Sequence, residues 1–146
     1  MITPRLSSEM VHASTVAIDG RAVLITGASG SGKSDLSLRL IDHGFTLVSD
    51  DQTIIKREGD RLMASPPSQL AGKLEIRGIG IVDMPHESGV PVALMVELTS
   101  DIQRLPDDSR ERPFLGVALP LVSIDAMTAS AASKVALALN RLGLKL

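Results

Sequence analysis

The chain contains no cysteine, tryptophan or tyrosine, and its only aromatic residues are Phe45 and Phe114. Without cysteine it has neither a disulfide framework nor a thiolate metal site. Two phenylalanines offer no platform for stacking bases, and a net charge of -2 with a pI near 5.9 leaves no electrostatic footprint for nucleic acid. Long apolar runs are missing too. The most apolar stretch, Val90 to Leu98, is interrupted by Pro91 and Glu97 and falls short of the roughly 20 residues that a membrane span needs. The opening MITPRLSSEM lacks the apolar core of a signal peptide, so a cytoplasmic setting without a membrane partner is expected. There is no internal repeat and no low-complexity linker. At 146 residues and 44% hydrophobic content the chain has the size of one domain, able to bury roughly 70% of its unfolded surface.

Hydrophobic patterning predicts an α/β fold. Ala13 to Ile18 and Arg21 to Thr26 read as strands joined at Asp19-Gly20, a strong two-residue hairpin signal. Ser34 to His43 carries Leu36, Leu40 and Ile41 at helical spacing, with Gly44 as the C-terminal stop. Phe45 to Ser49 is a short apolar run, so the second strand, this helix and Phe45–Ser49 are expected to form one βαβ unit with parallel strands. Thr53 to Lys56 and Leu62 to Ala64 flank Glu58-Gly59-Asp60 as a second hairpin, and SPPS then breaks the chain. Leu74 to Met84 reads as a strand in which Gly78 and Gly80 mark a bulge or a close backbone approach. Val92 to Leu98 is a further strand, residues 99–113 a polar surface loop, and 128–143 an amphipathic helix. That helix presents Ala132, Val135, Leu139 and Leu142 on one face. The face suits docking on the core or on another subunit equally.

Between the first hairpin and the first helix lies GASGSGKSD, Gly27 to Asp35, which fits G-x-x-x-x-G-K-[ST]. A strand before it and a helix after it are the context that such a pattern requires. Gly27, Gly30 and Gly32, with Ala28, Ser29 and Ser31 between them, allow successive backbone N–H groups to turn toward an anion at the positive end of a helix. Lys33 would reach the β- and γ-phosphates of a nucleotide, and the Ser34 hydroxyl would ligate Mg²⁺.

Other residues are candidates for the chemistry around that phosphate. Asp50 and Asp51 end a strand parallel to the loop's strand, at the carboxyl edge where ligands of parallel sheets sit. Adjacent strand residues point to opposite sides, so one carboxylate is expected to touch metal and the other to face the acceptor, and the residues alone do not assign which. Counting back from Asp19-Gly20 sets His12 opposite Gly27, beside the loop. A surface or structural histidine is the plainer alternative there, and His43 and His86 are read as ordinary. Glu75 and Arg77 flank Ile76 on one strand face, where a carboxylate can serve Mg²⁺ and a guanidinium a phosphate, although an exposed cross-strand ion pair is the simpler expectation.

Taken in order and spacing, VHAS, GASGSGKSD, LVSDD and LEIRGIGIVDM resemble the catalytic domain of the HPr kinase/phosphorylase family, bacterial protein-serine kinases with a Walker A loop. The match is specific from about Val11 to Met84, and LEIRGIGI is its most distinctive part. The resemblance implies a mixed β-sheet core related to phosphoenolpyruvate carboxykinase with flanking helices, and a single catalytic domain over 1–146 whose nucleotide-binding and catalytic core is 11–84. It further implies ATP and Mg²⁺ as cofactors, a serine of the phosphocarrier protein HPr as acceptor, and a hexameric homo-oligomer. Carried over by position, His12 matches an active-site histidine, Lys33 and Ser34 the phosphate and Mg²⁺ contacts, Asp51 the residue that takes the serine proton, and Glu75 a Mg²⁺ ligand. Leu74 to Asp83 matches the segment used by both kinase and phosphorylase activities. Typical members carry a separate N-terminal domain ahead of the His12 region, and the chain resembles a short form without it. Where members show a proline-glycine-arginine-asparagine segment, this chain reads RPFLGVALPLVSIDAM, so the resemblance carries phosphoryl transfer to HPr further than it carries phosphorolysis. Two alternatives stand beside it. IVDMP, Ile81 to Pro85, resembles the lead into a GTPase switch loop, although no N-K-x-D segment is present. A nucleotide-binding regulator without chemistry would also tolerate the missing arginine motif.

Overall fold

The computed structural model describes residues 7–102 and 110–146. In chain order its strands and helices are β1 Ser8–Val11, β2 Ala13–Ile18, β3 Arg21–Thr26, α1 Lys33–Asp42, β4 Thr46–Ser49, β5 Thr53–Glu58 and β6 Arg61–Ser65. A 3₁₀ turn, Ser68–Leu70, precedes β7 Lys73–Ile76, β8 Gly80–Asp83, β9 Val90–Leu98, β10 Glu111–Phe114, β11 Val117–Ile124 and α2 Ala131–Leu142. Among the described residues one sheet holds nine strands in the order β1-β5-β6-β9-β3-β2-β4, with β11 beside β9 and β10 beside β11. β7 and β8 form a separate two-stranded sheet.

The hairpins follow from their turns. Asp19 and Gly20 have φ of 53° and 75°, the left-handed pair that a type I′ turn requires, and the register runs Ile18↔Arg21, Val16↔Val23 and Ala13↔Thr26 as counted from the sequence. The hairpin of β5 and β6 turns at Gly59-Asp60, with Glu58 paired to Arg61. α1 buries Leu36, Ser37 and Leu40 on one face. It ends in a Schellman motif, with Phe45 N–H on Leu40 O, Gly44 N–H on Ile41 O, and Gly44 at φ 98°.

Alternation along the inner strands makes two cores. Val23 and Ile25 face the layer containing α1 and α2, whereas Ala22 and Leu24 face the opposite side, where they meet Ile55, Leu62, Met95 and Leu119. The sheet therefore has no solvated face at β3, and each fully buried Leu or Ile there contributes roughly 1.5–3 kcal/mol. Arg21 holds the end of α2 by donating from Nη1 to Leu139 O and Leu144 O, both at 3.3 Å.

Five sequence expectations change. β4 runs in the same direction as β3, since both are antiparallel to β2, but β2 lies between them. The parallel neighbour of β3 is β9, because the tight hairpin already occupies the other side. Leu74 to Met84 is a hairpin rather than one interrupted strand. Gly78, at φ 86°, lies in its turn and Gly80, at φ 119°, opens β8, and among the described residues no atom would lie within 4 Å of a Cβ added to either. The stretch 99–113 is not loop throughout, since Glu111–Phe114 forms β10, while 103–109 lie outside the described residues. α2 begins at Ala131 rather than 128, docks on the core through Ala131, Ala132, Val135 and Leu139, and leaves Leu142 half exposed. Finally, β1, β10 and β11 were not anticipated.

Candidate functional site

The glycine loop Gly27–Gly32 joins the end of β3 to α1. A Cβ at Gly27 would stand 2.6 Å from Ser31 Oγ and 3.1 Å from Leu98 Cβ, so the loop closes where only glycine fits. Gly30 and Gly32 take φ of 80° and 102°. Among the described residues no side chain caps α1, so amides of its first turn face the loop without a side-chain partner there. Ser31 Oγ is buried and has no hydrogen-bond partner among the described residues.

Lys33 is 6% exposed, and its Nζ donates to Gly27 O at 2.9 Å and Ala28 O at 3.1 Å. An ammonium has three donors, so one remains for the cleft. Asp50 is equally buried. Its Oδ1 accepts from Ser14 Oγ at 2.9 Å and from Ser34 Oγ at 2.7 Å, and its Oδ2 accepts from the Glu75 amide at 3.1 Å. One carboxylate thus ties together β2, the start of α1 and the β7–β8 hairpin.

Asp51 is the opposite case, more than half exposed, with its Oδ1 2.7 Å from His12 Nε2. Its φ of 68° is left-handed, a conformation costing a non-glycine residue about 1–2 kcal/mol. Both aspartates lie past the end of β4 rather than within it, and the left-handed Asp51 sets their directions apart: Asp50 turns inward onto Ser34, and Asp51 turns outward onto His12. The hairpin register counts His12 to a place opposite Gly27, whereas its contact in the structure is Asp51, and it is not among the residues lining the cleft.

The cleft has a volume of about 860 Å³. It is lined by the glycine loop with Lys33 and Ser34, by Asp51, by Glu75–Ile81 of the β7–β8 hairpin, and by Asp35, Leu38, Arg39, Ala126 and Met127. Glu75 and Arg77 both line it, and among the described residues neither makes the cross-strand ion pair expected of them. Arg77 lies in the turn, beyond the end of β7. Arg39 is anchored on Ala126 O and on Thr128 O at 3.2 Å, with Asp35 one turn before it on the same helix. Among the described residues no three His, Cys, Asp or Glu side chains converge as a metal cage. The oxygen donors gathered near the loop are Ser34, Asp50 and Glu75. His43 bonds the last turn of α1 and His86 pairs beside Leu47, both outside the cleft lining.

Sequence reasoning missed Ser14, Arg39 and Met127. Ser14 carried one usable signal, being with Thr15 one of two hydroxyls inside the buried strand ASTVAI, since buried polar groups need partners. Ile81 to Pro85, the proposed switch lead, falls in and after β8, which is antiparallel to β7 and stands apart from the β3 sheet. A switch strand would run beside the phosphate-loop strand.

Comparison with known proteins agrees with this arrangement. Residues 5–141 match the family model of the HPr Serine kinase C-terminal domain. An HPr kinase/phosphorylase of Chlorobaculum tepidum is 38% identical over 130 residues, covering 80% of this chain and 38% of that protein. One from Levilactobacillus brevis is 34% identical over 133 residues, covering 82% of this chain and 43% of its own length. The chain thus spans about two fifths of the curated relatives it matches. The solved structure of the Hpr(Ser) kinase/phosphatase from Coxiella burnetii superposes with a TM-score of 0.78 at 32% identity, covering 90% of this chain and 94% of that one. The mixed α/β architecture is therefore that of a solved HPr kinase, and the chain belongs to the family of the HPr serine kinase C-terminal domain.

Proposed function

We propose that this domain transfers the γ-phosphoryl group of Mg-ATP to a serine of an HPr-type phosphocarrier protein, in the cytoplasm and as part of a homo-oligomer. The observation that carries the reading is the meeting, in one cleft, of Lys33 and the start of α1 with the exposed carboxylate of Asp51, which His12 holds from outside the cleft lining. The classification as a P-loop fold of the phosphoenolpyruvate-carboxykinase type is part of the same proposal.

In this reading the loop amides and the third Lys33 N–H hold the charge that spreads over the transferring oxygens. The acceptor hydroxyl gives its proton to Asp51, its oxygen bonds to the γ-phosphorus, and the bond from that phosphorus to the β–γ bridging oxygen breaks, releasing ADP. His12 engages Oδ1 of Asp51 and leaves Oδ2 for the proton. Ser34 and Glu75 would hold the magnesium ion, and the donor set suits it, because Mg²⁺ is bound through one or two carboxylates together with substrate phosphates. When bound, the ion neutralises developing charge on the phosphates. Asp50, by accepting the Ser34 proton, leaves the lone pairs of that hydroxyl for the metal.

The test is intact-mass analysis of the HPr protein of the same organism after incubation with this chain and Mg-ATP, with Lys33→Ala and Asp51→Asn in parallel. One phosphate on a serine, absent with both variants, is the expected result. Asp51→Asn should keep nucleotide affinity nearly intact, and an equal loss of affinity and transfer would overturn its role as base. ATP binding without any mass shift would favour a regulator that holds nucleotide without chemistry.

A further inference from the structure

Ser14 is fully buried in β2, and its hydroxyl has a forced polarity. Asp51 N–H can only donate, and it does so to Ser14 Oγ at 3.0 Å. The single Ser14 proton is therefore left for Asp50 Oδ1, 2.9 Å away. One hydroxyl thus bridges the inward carboxylate of Asp50 and the backbone of Asp51, the residue of the pair with left-handed φ. A non-glycine residue keeps that conformation only where its surroundings over-determine it. The same Oδ1 takes the Ser34 proton, so Ser14 joins the metal-side hydroxyl to the backbone that aims the Asp51 carboxylate at His12.

We propose that Ser14 is a positioning residue for phosphoryl transfer: its hydroxyl sets the orientation of the 50–51 peptide and through it the Asp51–His12 pair. The proposal rests on the kinase reading for its effect on rate, but its structural half is independent of that reading. Removing the hydroxyl leaves the Asp51 amide without its acceptor and frees the peptide to rotate. Nothing at the glycine loop depends on Ser14 directly, so nucleotide binding is spared.

The experiment compares Ser14→Ala and Ser14→Thr with the unaltered chain in three readouts: kcat for HPr phosphorylation, the dissociation constant for Mg-ATP, and the NMR ring signals of His12 at fixed pH. Three histidines make those signals assignable by substitution. With alanine we expect kcat to fall about 100-fold, the cost of an ångström-scale misplacement, Mg-ATP affinity to stay within about 3-fold, and the His12 signals to move to their positions in Asp51→Asn. Threonine, which keeps the hydroxyl, restores both rate and spectrum. Should alanine unfold the chain, Ser14→Cys keeps the volume with a weak donor and repeats the comparison. The proposal is overturned by an unchanged His12 spectrum, by affinity falling in step with kcat, or by no rescue with threonine in a folded chain. If the unaltered chain moves no phosphate onto HPr, the kinase reading fails, and the His12 spectrum alone still decides the role of Ser14.

Discussion

Replacing Asp50 tests the architecture of the site more sharply than replacing any residue at its surface. The carboxylate is 6% exposed and accepts from Ser14, Ser34 and the Glu75 amide. In Asp50→Ala both hydroxyls can rotate toward other acceptors, and each lost bond costs about 1 kcal/mol. The Glu75 amide cannot rotate, and losing its acceptor costs about 1–3 kcal/mol. Relief of the carboxylate's own desolvation offsets part of this, leaving about 3 kcal/mol. At roughly 3 °C per kcal/mol for a chain of this length, Tm falls by about 9 °C. Asp50→Asn behaves differently. Its oxygen can face the Glu75 amide while its NH₂ donates to a hydroxyl that has turned to accept, so the loss is about 1 kcal/mol. On the proposed kinase reading both variants also lose phosphoryl transfer, because neither can take the Ser34 proton as a charged acceptor. Far-ultraviolet circular dichroism is the suitable probe, since the chain has no tryptophan or tyrosine to report by fluorescence. Equal shifts below about 1 kcal/mol for alanine and asparagine would refute the idea that Asp50 ties three elements together.

Elsewhere the expected effects are local. Gly32→Ala places a Cβ 3.2 Å from that of Ala126 at φ 102°. It should cost about 1–3 kcal/mol and weaken the proposed Mg-ATP binding, both measurable by thermal melts with and without nucleotide. Leu36→Ala, in the fully buried face of α1, should lower stability by about 2–5 kcal/mol in urea titration. Lys73→Ala removes a 2.8 Å pair with the largely exposed Asp83, and should change stability by less than about 0.5 kcal/mol because exposed pairs contribute little. A larger loss would mean that the β7–β8 hairpin depends on this contact.

What the sequence determined by itself was local. Asp19-Gly20 specified a hairpin and its register, which carried His12 to the end of the sheet where the glycine loop begins; GASGSGKS specified a loop opening a helix; Gly44 specified where that helix stops. Each is set by backbone preferences of a few adjacent residues, which act wherever the segment finds itself. The β10–β11 hairpin escaped for the matching reason: its turn is Leu115-Gly116, with Leu115 at φ 48°, and leucine announces no left-handed turn. Tertiary structure alone decided which strand lies beside β3, because the choice between β4 and β9 depends on edges left free by distant pairings. It also decided the division between Asp50 and Asp51. Adjacent carboxylates are indistinguishable in a one-dimensional pattern. They became different only when Ser14, Ser34 and the Glu75 amide closed around one, and left the other in solvent against His12.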